Sequence, residues 1–320
     1  MSDKKYKYKY RFTLFTPCYN SAPFIERIKA SVENQTFKDF EWIVVNDNSS
    51  DNTLALLNDY IKTVKFPVKL INNTTNKMLA ANYNLAVEQT EGEYFVTLDH
   101  DDEYSPNYLE IMDKLITQYD SPKIAGVVAR CKTQFGKITP DPAYSHVIMN
   151  WFEYGKDSQG KGTGEVPRAF KTDILRKYIP FDENEVHNPL VEAMMSYDGY
   201  SFITTNEIIR KYYVDNATPQ SITSQGVSRL KVWRYRSYLR EINQYCTKYH
   251  RTFKVTLSMC LQYSVAAIRL NMSFKEAIQS ICRYRILVSL LYPFAFVWVL
   301  VAKNQSLRSV INYYINKKGK

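Results

Sequence analysis

The chain has 320 residues, 45% of them apolar and 23% charged, which excludes a disordered or low-complexity protein. The formal net charge of +10 is uneven: Gly226 to Lys320 holds 17 Lys and Arg against only Glu241 and Glu276, leaving the first 225 residues acidic on balance. Cys18, Cys131, Cys246, Cys260 and Cys282 are scattered, odd in number and without a C-x-x-C pair, which argues against a disulfide scaffold or structural zinc and fits a reducing cytosol. The opening MSDKKYKYKYR is basic and polar with no apolar stretch behind it, so no secretory signal is expected.

In chain order, Phe12–Thr16 is a short apolar run closed by Pro17, the mark of a buried strand. Ser21 stands where a helix cap would, and Phe24, Ile25, Ile28 and Val32 follow at helical spacing. Phe40–Val45 predicts a second strand, Leu54–Ile61 a helix, Val68–Ile71 a third strand and Met78–Val87 another helix. Tyr94–Leu98 predicts a fourth strand running into Asp99-His100-Asp101-Asp102; a helix from Ser105-Pro106 to Tyr119 and a strand at Ile124–Ala129 follow. Residues 134–170 show little periodicity and read as a loop over the site. Residues 172–225 read as short helices with a strand pair at Ser201–Thr205 and Ile208–Val214. Beyond Gly226 the pattern is helical, basic and aromatic.

Strands alternating with helices predict an α/β fold, a doubly wound and mostly parallel sheet over residues 1–225, with residues 226–320 as a basic helical extension. Such sheets bind ligands outside the carboxyl ends of their strands, where Cys18-Tyr19-Asn20, Asn46-Asp47-Asn48 and Asp99–Asp102 all fall. Carboxylates crowded at a strand end repel one another unless a cation sits between them, and hard oxygen ligands suit Mg²⁺ or Mn²⁺. An acidic turn capping the next helix is the plainer alternative, and D-x-D by itself does not choose between them.

Four separated motifs stand in one order: Thr16-Pro17-Cys18-Tyr19-Asn20, Val45 to Asp51, Asn84 through Gly92-Glu93-Tyr94, and Leu98-Asp99-His100-Asp101-Asp102. Over about residues 10–130 the chain resembles family 2 glycosyltransferases of the GT-A fold. The resemblance implies an inverting, metal-dependent transfer of a sugar from a nucleotide diphosphate sugar, most simply a UDP-sugar, with Mn²⁺ or Mg²⁺ as cation. It implies that Pro17, Tyr19 and Asn20 line the nucleotide pocket and that Asp47 accepts the uracil N3–H. Asn76 would match the segment after the third strand, Asp99 would face the ribose or first phosphate, and Asp101 would hold the metal beside Asp99. Asn20 is equally well placed as a helix cap, Asp47 as a turn former and Asn76 as loop surface.

The chain departs from the family pattern in four places. Met78 stands where members often have Gly, and Tyr83 where they often have the Arg that helps bind diphosphate, which shifts that task toward the metal and Lys77. Asn46 and Asn48 replace a frequent Asp and Gly. The acceptor half, about residues 131–225, should carry the general base that takes the acceptor hydroxyl's proton. Counting back from Gly199-Tyr200 puts His187-Asn188 on the family's Glu-Asp pair. Glu185, His187 and Glu192 are therefore the candidate bases, in that order. No Q-x-x-R-W of processive synthases is present, which implies addition of one residue or a few.

Ile286–Ala302 is 17 residues without a charge, flanked by Arg283, Arg285 and Lys303 and interrupted by Pro293. A buried core helix is one reading; a re-entrant or interfacial segment on an anionic membrane surface is the favoured one. The expected setting is cytoplasmic, peripheral or monotopic at the inner face of the cell membrane, with a glycan or lipid-linked acceptor. Two rivals stand beside this: a degenerate transferase that only binds nucleotide, and a nucleic-acid binder using the basic tail. The uncharged stretch and the lack of a nucleic-acid module count against nucleic acid as a partner.

Overall fold

The structure, a computed structural model, describes residues 8–154, 166–181, 191–214 and 253–303, together with isolated positions between 232 and 243. The chain divides into two compact units, Met1–Ser221 and Ile222–Lys320.

The first unit begins with four parallel strands. β1 (Tyr10–Cys18) lies between β2 (Phe40–Asn46) and β4 (Gly92–Thr97), and β3 (Val68–Asn72) flanks β2. The next strand across, β9 (Arg168–Lys171), pairs antiparallel with both β4 and β6 (Ile124–Thr133); β10 (Ser201–Tyr212) then runs parallel to β6, and the short β5 (Glu103–Tyr104) closes the edge. Two further short strands, β7 (Ile138–Thr139) and β8 (Ile148–Met149), pair with β6 and β10.

Both faces of the sheet are apolar because successive side chains on a strand point opposite ways. Phe12, Leu14, Trp42, Val44, Tyr94 and Val96 form one core with α1 (Ile25–Glu33), α2 (Thr53–Ile61) and α4 (Tyr108–Tyr119). Phe15, Ile43, Val45 and Phe95 point the other way, against α3 (Met78–Gln89), α6 (Thr172–Leu175) and α7 (Val191–Tyr197). One more short helix, α5 (Trp151–Tyr154), packs with the second core through Tyr154. Each fully buried Phe or Leu contributes on the order of 1.5–3 kcal/mol relative to exposure.

Two expectations are corrected. The stretch read as a loop at 134–170 contains β7, β8, α5 and β9 among its described residues. β9 is four residues long and set by its neighbours: Gly126 of β6 approaches the Ala169 carbonyl so closely that a Cβ would lie 2.1 Å from it, a tertiary fit that no local periodicity signals. The strand pair expected at 201–214 is a single strand, β10, whose register against β6 shifts between Thr204 and Ile208. The polar Thr205-Asn206-Glu207 that reads as a turn is an irregularity within the strand.

In the second unit, α8 (Phe253–Arg269) and α10 (Arg285–Lys303) pack together with α9 (Phe274–Gln279) around Cys260, Tyr263, Ala267, Val288 and Tyr292. The α9 start is fixed by a reciprocal cap, Ser273 accepting from the Glu276 amide while the Glu276 carboxylate accepts from the Ser273 amide.

Candidate functional site

The loops that leave β1, β2, β3 and β4 converge at the carboxyl edge of the sheet. The loop after β1 is tied to the loop after β2: the Asn20 amide donates to Ser49 Oγ at 3.0 Å, and Asn20 Oδ1 accepts from the Ser50 amide at 2.9 Å. Asn20 itself takes φ +50°, a left-handed backbone that Asn tolerates. Tyr19 is exposed beside it, and Pro17 is half-buried with its carbonyl 3.1 Å from His100 Nδ1.

Asp47 is buried and already well partnered. Its Oδ1 accepts from Asn73 Nδ2 at 2.9 Å and the Lys77 amide at 2.8 Å, and its Oδ2 accepts from the Met78 amide at 2.9 Å. A carboxylate has about four acceptor sites, so the three donors leave room for one more. The side chain therefore pins the loop between β3 and α3. Asn76 closes a local turn by accepting from the Met78 amide at 3.2 Å, and the Lys77 side chain is exposed at the same rim.

The three carboxylates after β4 have separate environments. Asp102 is fully buried, held by the Arg210 guanidinium from β10 and by the Tyr213 amide at 3.0 Å. Burial pushes its carboxyl up to about 7, with Arg210 opposing that rise. Asp99 is 31% exposed and shares the same guanidinium, 2.8 Å from Nη2. Asp101 is half-exposed; its carbonyl accepts from Arg27, while its carboxylate has no partner among the described residues. Asp101 and Asp99 thus offer oxygen to a cation from one loop. No group of three or more His, Cys, Asp or Glu able to hold a metal occurs among the described residues. One or two carboxylates completed by substrate phosphates is the arrangement Mg²⁺ commonly uses, and this donor set fits it.

Asp99 and Arg210 also line a small cavity of about 100 Å³ with Tyr83, Arg168 and Glu192. Glu192, on α7, is buried and ion-paired with Arg168 at the start of β9. Glu185 and His187 lie outside the described residues. Arg168 and Arg210 are the residues that sequence reasoning missed. The signal available for Arg210 was a cation directly after Ile208-Ile209 in a strand pattern, where an inward-facing guanidinium must find a carboxylate.

A family model described as Glycosyl transferase family 2 matches residues 13–178. The chain belongs to this family. A Haemophilus influenzae glycosyltransferase is 28% identical over 181 residues, covering 56% of this chain and 46% of that protein. Chondroitin synthase of Pasteurella multocida is 28% identical over 188 residues, covering 59% of this chain and 18% of the synthase. The chain therefore spans less than half the length of these relatives. Among solved structures, S. aureus TarS residues 1–349 in complex with UDP-GlcNAc superimposes with a TM-score of 0.55 at 16% identity, covering 86% of this chain and 71% of that one. The mannosyltransferase PcManGT of Pyrobaculum calidifontis, in complex with GDP-Man and Mn²⁺, gives 0.55 at 19% identity, covering 94% and 83%. These likenesses establish the fold, which is GT-A.

The departures from the family 2 pattern acquire a physical meaning here. Asn48 and Met78, the two positions where members often carry Gly, have φ of +58° and +70°. Asn is a tolerated substitute in the left-handed region; Met holds it at a cost of about 1–2 kcal/mol, offset by its amide's bond to Asp47. Tyr83 cannot act as the missing Arg: its ring packs among Phe15, Phe95 and Phe181 at centroid distances of 5.7, 5.1 and 5.2 Å. Arg168 and Arg210 bring positive charge to the cavity that Tyr83 borders.

Proposed function

We propose that this chain transfers a sugar from a UDP-sugar to a hydroxyl of a growing surface glycan or lipid-linked oligosaccharide at a membrane's cytoplasmic face, with inversion at the anomeric carbon. The observation that carries the reading is the gathering of Asp47, Asp99 and Asp101 at one edge of a family 2 sheet, with Asp101 left without a partner among the described residues. A uracil ring seated on Tyr19 would meet the remaining acceptor site of Asp47 through its N3–H, and a UDP complex of TarS beside the GDP-Man complex of PcManGT makes GDP the informative control. Asp101, with Asp99 beside it, would hold a divalent cation, which would supply positive charge against the leaving diphosphate. Lys77 at the rim and Arg168 and Arg210 in the cavity are the chain's own cations for the same charge.

The acceptor hydroxyl attacks from the face opposite the diphosphate while a carboxylate or imidazole takes its proton. Glu185 is the first choice, followed by His187. Glu192 stands behind them because its carboxylate is engaged by Arg168, and a base must be free to receive a proton. The test is UDP release and glycan elongation from labelled UDP-sugars with Glu185→Gln, His187→Ala and Glu192→Gln. Loss of a base lowers kcat by about 10²–10⁴ with donor affinity retained. UDP binding without any transfer or hydrolysis by the wild type, across donors and acceptors, would establish the nucleotide-binding alternative instead.

A further inference from the structure

No helix among the described residues is long and apolar enough to cross a membrane, yet α10 is apolar on the side it shows to solvent. Its inner face is ordinary: Val288, Tyr292, Ala295 and Val299 recur at spacings of a helix stripe and are buried against α8 and α9. Its outer face repeats the pattern in the open. Ile286 is 79% exposed, Leu290 64%, Phe294 71%, Val297 59% and Trp298 58%. A water-facing helix normally carries charged groups there, and this one carries no charge between Arg285 and Lys303, with the small Ser289 as the polar interruption of the stripe. Beside the stripe, a groove of about 960 Å³ between α8 and α10 is lined by Leu261, Val265, Phe294, Val297 and Trp298, with Arg269 among its lining.

The charge around this surface has one sign. Lys254, Arg269, Lys275, Arg283 and Arg285 are exposed, and Glu276, the one carboxylate among the unit's described residues, is taken up in the Ser273 cap. We propose that the outer face of α10 and the adjoining groove insert in the plane of an anionic phospholipid bilayer, the apolar stripe among the acyl chains and the cations at the headgroups. A bilayer surface is the partner that satisfies both features, because a protein groove complementary to the stripe gives no reason for one-signed charge along its margin. This deepens the membrane-borne acceptor of the preceding reading and rests on it only for placing the transfer at a membrane; the lipid contact is read from the second unit alone.

The test is co-sedimentation of the full chain with phosphatidylcholine vesicles containing or lacking phosphatidylglycerol, at low and high salt. Binding is expected to the anionic vesicles, weakened by salt, with a blue shift in tryptophan emission that Trp298→Phe removes while binding persists. Leu290→Ser with Phe294→Ser should lower partitioning by about tenfold or more, since both side chains are exposed and their loss leaves the fold unchanged by thermal unfolding. Arg269→Gln and Arg283→Gln should each lower it about fivefold on anionic vesicles alone. Equal binding to neutral vesicles, no binding at all, or a concentration-dependent dimer abolished by the Leu290 and Phe294 changes would overturn the proposal. UDP affinity measured on the same variants should not move, so failure of the lipid contact is told apart from failure of the donor reading.

Discussion

Asp47 shows how a side chain at the proposed donor site also holds the fold. Its carboxylate gathers the Asn73 amide group and the Lys77 and Met78 backbone amides into the shape of the β3–α3 loop. Asp47→Ala should therefore destabilise the chain by about 1–3 kcal/mol, the cost of buried donors left without acceptors, and abolish nucleotide binding together with it. Asp47→Asn, which keeps the shape but reverses part of the hydrogen-bonding sense, should retain more stability than it retains affinity; denaturant melts beside titrations of UDP measure both. Met78 offers the opposite sign. At φ +70° a glycine relieves left-handed strain and gives back part of that gain in backbone entropy, so Met78→Gly should stabilise by roughly 0.5–1 kcal/mol, read as a rise in Tm of about 1–4 °C.

At the scale of elements, Arg210 joins the acidic loop after β4 to β10, two segments that share no sequence neighbourhood. Removing one partner of a buried pair leaves the other charged and alone, so Arg210→Met should cost about 3–5 kcal/mol, and Asp102→Asn in the same chain should restore part of it. The sign with pH follows from burial. Asp102 has its carboxyl raised from 3.8 to about 7, so the fold favours its neutral form, and stability from that form falls as pH rises through the folded value. Without Arg210 the ionised form has less support still, and the deficit of Arg210→Met should be larger at pH 8 than at pH 5.5 in urea melts.

The same scale explains what was legible in the sequence. β1 to β4 and the helices between them are strongly patterned and buried on both faces, so the sheet and the placement of Asp47, Asp99 and Asp101 after its strands could be read directly. β9 and β5 could not, being four and two residues long and defined by neighbours distant in the chain. The partners of Arg168 and Arg210 were hidden for a related reason: Glu192 and Asp102 are brought to them only across the completed sheet.

For the whole molecule, an acidic α/β unit bearing the family 2 motifs is followed by a basic helical unit with its own core and an apolar outer face. The chemistry proposed for the two differs, a nucleotide diphosphate for the first and a lipid surface for the second, and the two should fail independently: a donor-site substitution should leave vesicle binding intact, and an α10 substitution should leave UDP binding intact. The central claim is the donor site. Calorimetric titration of UDP, with GDP as control, with and without Mn²⁺, on the wild type and Asp101→Asn, tests it most directly. The account predicts Mn²⁺-dependent UDP binding, weaker or absent for GDP, that Asp101→Asn reduces at least tenfold. Absence of UDP binding under every metal condition, or binding indifferent to both Mn²⁺ and Asp101, would contradict it.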